Sequence, residues 1–451
     1  MHPRHGHLPH VTRRRPGMLL LIAFAAVIAV GTGLLMLPVS QAGEGSATLI
    51  DALFTAVSAT CVTGLTVVDT ATYWSTFGQV VIILLVQVGG FGVMTFATVL
   101  GVVVLRRLSL RAELAVAAEV KTTTLSDVRK LVVGVISISI VVEVLIAAAL
   151  AARFAAGYGE SLGRSLWLGV FHAIASFNNA GFALFTDNAE SFVSDPLICL
   201  PLCAAVIIGG LGFPVIMQLA RYARTPRLWT MNTRIVIVAT LVLLIAGTIY
   251  ITAIEWNNPD TFGRLSGPSK ILAGFFQSVQ TRSGGLNSVD IGDMHPATLL
   301  GMDALMFIGA GPAGTAGGIK VTTFAVLLFI VFTEIRGEHS VNILGKGLAR
   351  SVNHQATTVV VLAATVLFTA SAFILLVTDI DIGRTVFEAI SAFGTVGLST
   401  GITASLPNSA QMALIVLMYV GRLGPMAVAT ALALRQRHIR YELPKERPII
   451  G

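Results

Sequence analysis

With 451 residues, 55% of them hydrophobic, 12% charged and a mean hydropathy of +0.82, the chain lies outside the range of soluble globular domains. Its +7 net charge follows membrane side: most of the 30 Lys and Arg fall in 1–16, 106–130, 221–234, 335–354 and 435–451, while the alternate side carries Arg153, Arg164, Arg264, Lys270 and Arg384. That bias obeys the positive-inside rule, places both termini in the cytoplasm and makes the basic pI a matter of topology, not of nucleic-acid binding. Cys61, Cys199 and Cys203 lack metal-ligand spacing and cannot all pair, which excludes a disulfide framework and a zinc site.

In chain order, the histidine-containing segment 1–16 reads as an extended tail because Pro and Gly interrupt it. Apolar stretches of spanning length follow at 17–37, 76–105, 131–152, 196–219, 235–255, 297–333, 355–377 and 409–434. Between the members of each successive pair lies a run of about 12 apolar residues, too short to cross a bilayer and expected to form a re-entrant helix. The segments Phe54 to Leu65, Phe171 to Phe182, Phe275 to Leu286 and Phe387 to Leu398 align on Gly64, Gly181, Gly285 and Gly397. Each has a phenylalanine ten residues before the glycine and a Leu or Phe directly after it. A second glycine-rich stretch follows each loop, beginning at Val88, Ile208, Ile308 and Val420. Small residues there suit close helix packing, and the recurrence marks internal duplication.

The predicted fold is therefore an all-α integral membrane protein of four tandem helix, pore-helix, loop, helix repeats around a pseudo-fourfold central pore. The repeats run over 17–120, 121–230, 231–345 and 346–434, between tails at 1–16 and 435–451. Four loops closing on one axis supply rings of backbone carbonyls, which can replace the water around a monovalent cation without a fixed charge to trap it. Glycine is required where the backbone must turn those carbonyls inward. The candidate filter is Val62, Thr63, Gly64, Asn179, Ala180, Gly181, Ser283, Gly284, Gly285, Thr395, Val396 and Gly397. The absence of a carboxylate ring in the loops disfavours a divalent cation.

These loops, Ala59 to Leu65, Phe177 to Phe182, Thr281 to Asn287 and Ala392 to Thr400, resemble the four pore loops of the KtrB/TrkH superfamily of potassium transporters. The likeness extends over about residues 17–434, and the compact length resembles the KtrB branch more than the longer TrkH branch. The resemblance implies potassium uptake across the bacterial inner membrane, with K+ in the filter, no covalent cofactor, and sodium as an activator in some members. It implies a homodimer in membrane lipid with a KtrA-like cytoplasmic ring that binds nucleotide, since the chain itself carries no dinucleotide fingerprint. The third loop reads Ser283-Gly284-Gly285 where Thr-Ala-Gly is more usual. One glycine per loop predicts a modest preference for potassium. A sodium- or ammonium-permeable relative remains the alternative within transport; an intramembrane enzyme would need converging reactive groups, and His172 and Cys61 lie in different repeats.

The 297–333 stretch is 37 residues, or about 55 Å as one helix, too long for a single crossing. Its middle, Gly309-Ala310-Gly311-Pro312-Ala313-Gly314-Thr315-Ala316-Gly317-Gly318, lacks the Gly-Lys-Ser/Thr order of a P-loop and is expected to form a flexible gate below the filter. It also resembles the family's intramembrane gating loop. Lys320 follows and is expected to anchor it on the cytoplasmic side. Arg422, which stands where other repeats have Gly90, Gly210 and Ala310, is expected to point into the inner pore, repel a waiting cation and bond the loop's carbonyls. Arg282 and Glu388 are expected to pair behind the filter as support. Glu143 and Asp303 lie in apolar runs with no role legible beyond buried partners. Asp69, Asp187, Glu190, Asp195, Asp290 and Asp293 would gather cations at the mouth.

Overall fold

The computed structural model describes residues 16–43, 45–112, 125–337, 342–343, 346–348 and 350–424. The predicted tails, apart from residue 16, and the end of the eighth predicted span lie outside the described residues.

The helices are α1 (Pro16–Leu35), α2 (Leu49–Thr60), α3 (Thr76–Ala112), α4 (Leu125–Tyr158), α5 (Leu162–Phe177), α6 (Pro196–Leu211) and α7 (Phe213–Tyr222). They continue with α8 (Met231–Glu255), α9 (Gly267–Gln280), α10 (Pro296–Phe307), α11 (Val321–Ile335), α12 (Arg350–Val377), α13 (Ile382–Gly394) and α14 (Asn408–Leu423). A small antiparallel hairpin, β1 (Asn342–Ile343) with β2 (Lys346–Gly347), precedes α12.

Polarity is arranged for lipid. Leu145, Phe368 and Leu376 are 66%, 78% and 85% exposed, whereas Ser58, Asn178, Gln277, Gln280 and Ser391 are buried. An apolar solvent outside accounts for the exposed side chains, and the buried polar ones gather inside with the short helices. Among the described residues, Val132–Tyr158, Met231–Glu255 and Val352–Val377 are long and apolar enough to cross a membrane, and α6 with α7 makes a fourth if the bent pair is one span.

That bend corrects the expectation of an unbroken span over 196–219. The chain turns by 100° between α6 and α7, because Gly212 takes φ +88° and ψ 141°, outside the range open to side-chain-bearing residues. The 297–333 stretch separates into α10 and α11 around the non-helical residues 308–320.

The short helices α2, α5 and α13 begin at polar caps whose side chains accept from the first turn, whereas Ser266 at the start of α9 makes no such bond. Thr48 accepts from the Asp51 amide (3.3 Å), Ser161 from the Arg164 amide (3.4 Å) and Asp381 from the Gly383 amide (2.8 Å). Phe54, Phe171 and Phe387 are fully buried, but Phe275 is only partly so and its neighbour Phe276 takes the core position. The residues after the aligned glycines, Leu65, Phe182, Leu286 and Leu398, are all buried.

Packing runs in a circle, with α3 against α5, α6 against α9, α10 against α13 and α14 against α2. The glycines of the longer helices allow it. A Cβ at Gly89, Gly209 or Gly421 would sit 2.8, 3.0 or 2.7 Å from the carbonyl carbon of Thr60, Phe177 or Phe393, closer than real side chains come.

Candidate functional site

Each short helix ends in the same backbone turn. Val62, Asn179, Ser283 and Thr395 have φ of +57°, +61°, +81° and +46°; two residues on, Gly64, Gly181, Gly285 and Gly397 have +96°, +64°, +77° and +96°. A left-handed non-glycine residue costs about 1–2 kcal/mol, so its recurrence at four matched positions requires a compensating hold. That hold is a backbone bond to the helix end: Thr63 N to Ser58 O (2.7 Å), Ala180 N to Ala175 O (2.8 Å), Gly284 N to Gln280 O (2.7 Å) and Val396 N to Ser391 O (2.9 Å). The Ser58 and Ser391 hydroxyls also accept from the Gly64 and Gly397 amides, at 3.0 and 3.2 Å.

The four glycines meet. A Cβ added at Gly64 would lie 2.6 Å from the Cα of Gly181, one at Gly181 3.0 Å from that of Gly285, one at Gly285 3.3 Å from that of Gly397, and one at Gly397 3.2 Å from that of Gly64. The series closes on itself. The carbonyl oxygens of Thr63, Ala180 and Val396 lie against the glycine of a neighbouring loop, so backbone oxygens, not side chains, line this ring.

On the face predicted to be outside, a cavity of about 360 Å³ reaches Gly64, Gly181 and Gly397 and is bordered by Asp69, Asp187, Glu190 and Asp290. Half-buried Glu190 accepts from Asn287 Nδ2 (2.9 Å). Burial, with Asp290 and Asp187 adding like charge, pushes its carboxyl up to about 7. Asp195 is placed elsewhere, capping α6 and pairing with Arg153 at 2.8 Å.

Residues 308–320 do not line that cavity but pack on the ends of the short helices, with Gly318 against Gly394 and Thr315 Oγ1 donating to Phe177 O at 3.3 Å. Gly309 N bonds Ile319 O (2.8 Å), Gly311 N bonds Gly210 O (2.9 Å), Thr315 N bonds Gly209 O (3.2 Å) and Val321 N bonds Ala310 O (3.1 Å). The bend at Gly212 receives this segment: a Cβ there would sit 3.2 Å from Gly314 N and 3.3 Å from the Ala313 carbonyl carbon, and Phe213 N bonds Ala313 O. Asn179, in the orientation that satisfies its amide, donates to Thr315 Oγ1 at 3.1 Å, and Gly317 packs on Thr395. Lys320 Nζ donates back to Ala316 O. The Arg422 guanidinium, 3% exposed, donates to Thr315 O and, at 3.1 Å, to Gly89 O. One side chain thus links α14, α3 and the 308–320 segment.

The expected pair of Arg282 and Glu388 is not formed. Arg282 is buried, away from outside water, and donates to Thr240 O (3.3 Å) and Gly309 O (3.2 Å). Glu388 accepts from the Ser399 hydroxyl, the Thr400 amide (3.2 Å) and Thr403 Oγ1 (3.1 Å), fastening the chain that leaves the fourth loop. Backbone carbonyls accept from Arg282, and hydroxyls and an amide donate to Glu388, each charge held separately, a choice that counting opposite charges cannot foresee.

Sequence reasoning also missed a buried cluster behind the second loop. Glu143 Oε1 and Oε2 accept from Gln87 Nε2 (3.0 and 3.1 Å), and Asn178 Nδ2 donates to Gln87 Oε1 (2.7 Å) and Glu143 Oε1 (3.4 Å). The available signal was a lone acid in an apolar span. Asp303 is partly buried, and its Oδ1 has no hydrogen-bond partner among the described residues. Fully buried Glu255 was not singled out, yet it gathers Asn258, Thr261, Thr298 and the His295 amide.

The family described as TrkH, cation transport protein, matches residues 13–440. The chain is 38% identical over 430 residues to the Ktr system potassium uptake protein B of Bacillus subtilis, covering 95% of this chain and 96% of that one. It is 38% identical over 434 residues to the protein of the same name from Vibrio alginolyticus, covering 96% and 94%. The crystal structure of the potassium transporter TrkH from Vibrio parahaemolyticus superposes with a TM-score of 0.75 at 16% identity, covering 96% of this chain and 87% of that one, a likeness of fold.

Proposed function

Because the chain belongs to the TrkH family of cation transport proteins, we propose that it takes up potassium through a pore whose filter is the ring at Gly64, Gly181, Gly285 and Gly397. The observation that carries this reading is the fourfold recurrence of one left-handed turn closing on itself. A potassium ion entering from the acidic mouth exchanges water for the carbonyl oxygens at the ring, and the C-terminal ends of α2, α5, α9 and α13 add partial negative charge. No side-chain carboxylate binds the ion there, so it is not trapped. Transport, not catalysis, is the activity.

Residues 308–320 form the gate in this reading. They block the path beneath the ring, with Arg422 both holding them and repelling a cation from below. The working assembly is a homodimer in the bacterial inner membrane, its termini cytoplasmic, joined to a cytoplasmic nucleotide-binding ring. That ring docks on the basic segments, among them the one bearing exposed Arg221, Arg224 and Arg227.

The test is growth of a potassium-uptake-deficient strain at low potassium with the wild-type chain, Gly285→Ser and Gly397→Ser, followed by potassium and sodium uptake rates. Wild type restores growth. Each serine must adopt a left-handed φ against a neighbouring glycine, so each variant lowers the potassium-to-sodium ratio about tenfold. Unchanged ratios in both, with normal protein in the membrane, would remove the ring from the filter role.

A further inference from the structure

Glu143 lies in the middle of α4, 7% exposed, and among the described residues no cationic side chain pairs with it. A buried carboxylate without a counterion is costly, and here amide donors take the counterion's place. Gln87, from α3, donates to both its oxygens, and Asn178, where α5 ends, bonds Gln87 and Glu143 together. The space for this comes from Gly90, whose missing side chain would lie 2.7 Å from the Asn178 Cγ.

Asn178 stands three residues before Gly181 and directly before Asn179, the left-handed residue of that loop. The equivalent position in the third loop is Arg282, whose side chain is likewise held by neighbouring elements, Thr240 O on α8 and Gly309 O. Two loops therefore use this position as an anchor to the structure around them, one through a charge on the loop and the other through a charge on a neighbouring helix.

We propose that Glu143, acting through Gln87 and Asn178, is a positioning residue that fixes the second loop and thereby sets the ring's preference between monovalent cations. Its carboxylate holds the Asn178 amide, the anchored Asn178 fixes where Asn179 turns, and that turn places the Ala180 carbonyl at the ring. This rests on the reading of the ring as a potassium filter.

The experiment measures potassium and sodium uptake by the full chain in cells without other potassium uptake. It compares wild type, Glu143→Gln, Glu143→Leu, Gln87→Leu and Ser139→Ala, the last a buried polar control on the same helix. Both leucine variants should lower the potassium-to-sodium ratio about fivefold through loss of hydrogen bonds to a charged group. Glu143→Gln, whose amide oxygen still accepts, should stay within about twofold of wild type, and Ser139→Ala should match it. The proposal is overturned by an unchanged ratio in a leucine variant present at wild-type level, or by Glu143→Gln behaving like Glu143→Leu. Loss of both leucine variants from the membrane gives Glu143 a structural role only and also overturns it. Wild-type cells without potassium uptake would instead defeat the transport reading itself, an outcome distinct from these.

Discussion

Glu190 borders the cavity that reaches the ring, and burial beside two acidic neighbours raises its carboxyl toward neutral pH. With its carboxyl pushed up to about 7 by burial and by Asp290 and Asp187, it is neutral below that pH and ionised above it. Ionisation adds negative charge to a cavity that reaches the ring. Uptake at sub-saturating potassium should therefore rise about two- to threefold from pH 6 to pH 8, and Glu190→Gln should stay at the low-pH rate throughout. An equal rise in the variant would place the titrating group elsewhere. At this scale the sequence was informative where geometry depends on one residue type. The aligned glycines were legible because only glycine takes the positive φ comfortably at the point of closest approach. The partners of Arg282, Glu388 and Glu143 were not, since a buried charge can be satisfied by carbonyls, hydroxyls or amides, and those come from positions up to 56 residues away.

Among elements, the decisive relation joins the 308–320 segment, the bend at Gly212 and α14. Five glycines and a proline showed that the segment could not be helix, so its irregularity was legible. Its seat was not: the bend at Gly212 reads in sequence as one more small-residue packing site, and only the turned backbone reveals that Gly210 O and Gly209 O face the loop. Arg422 closes the arrangement with bonds to Thr315 O and Gly89 O. Hydrogen bonds from a charged donor contribute about 1.5–3 kcal/mol each. Releasing even about 1.4 kcal/mol of that hold multiplies the population with the loop displaced about tenfold. Arg422→Ala should accordingly raise the potassium uptake rate severalfold, as should deletion of residues 313–317. Both are read as initial rates normalised to protein in the membrane. A lower rate in both variants would show that the segment and the arginine promote conduction instead of blocking it.

For the whole molecule, repetition along the chain led to the expectation of four units, with the third and fourth as neighbours. The order comes from packing, with α3 on α5, α6 on α9, α10 on α13 and α14 on α2. The glycine ring consequently needs all four loops, and two of its junctions, Gly181 with Gly285 and Gly397 with Gly64, join the first half of the chain to the second. A cut between Arg224 and Thr225 falls in an exposed turn between α7 and α8 and leaves the aligned loops intact. The second fragment keeps Arg227 ahead of α8 and Arg234 in its first turn, enough positive charge to orient that helix as in the full chain. Its docking surface shares buried apolar clusters with the first fragment, Phe171 and Leu202 with Phe276, and Phe54 and Val57 with Phe393 and Leu414, and Gly311 N bonds Gly210 O, so the fragments retain complementary faces. Co-expression of 1–224 and 225–451 should restore growth of a potassium-uptake-deficient strain, whereas either fragment alone should not. Uptake by one fragment alone would mean that two loops suffice to conduct, and a closed ring of four could not then be the filter.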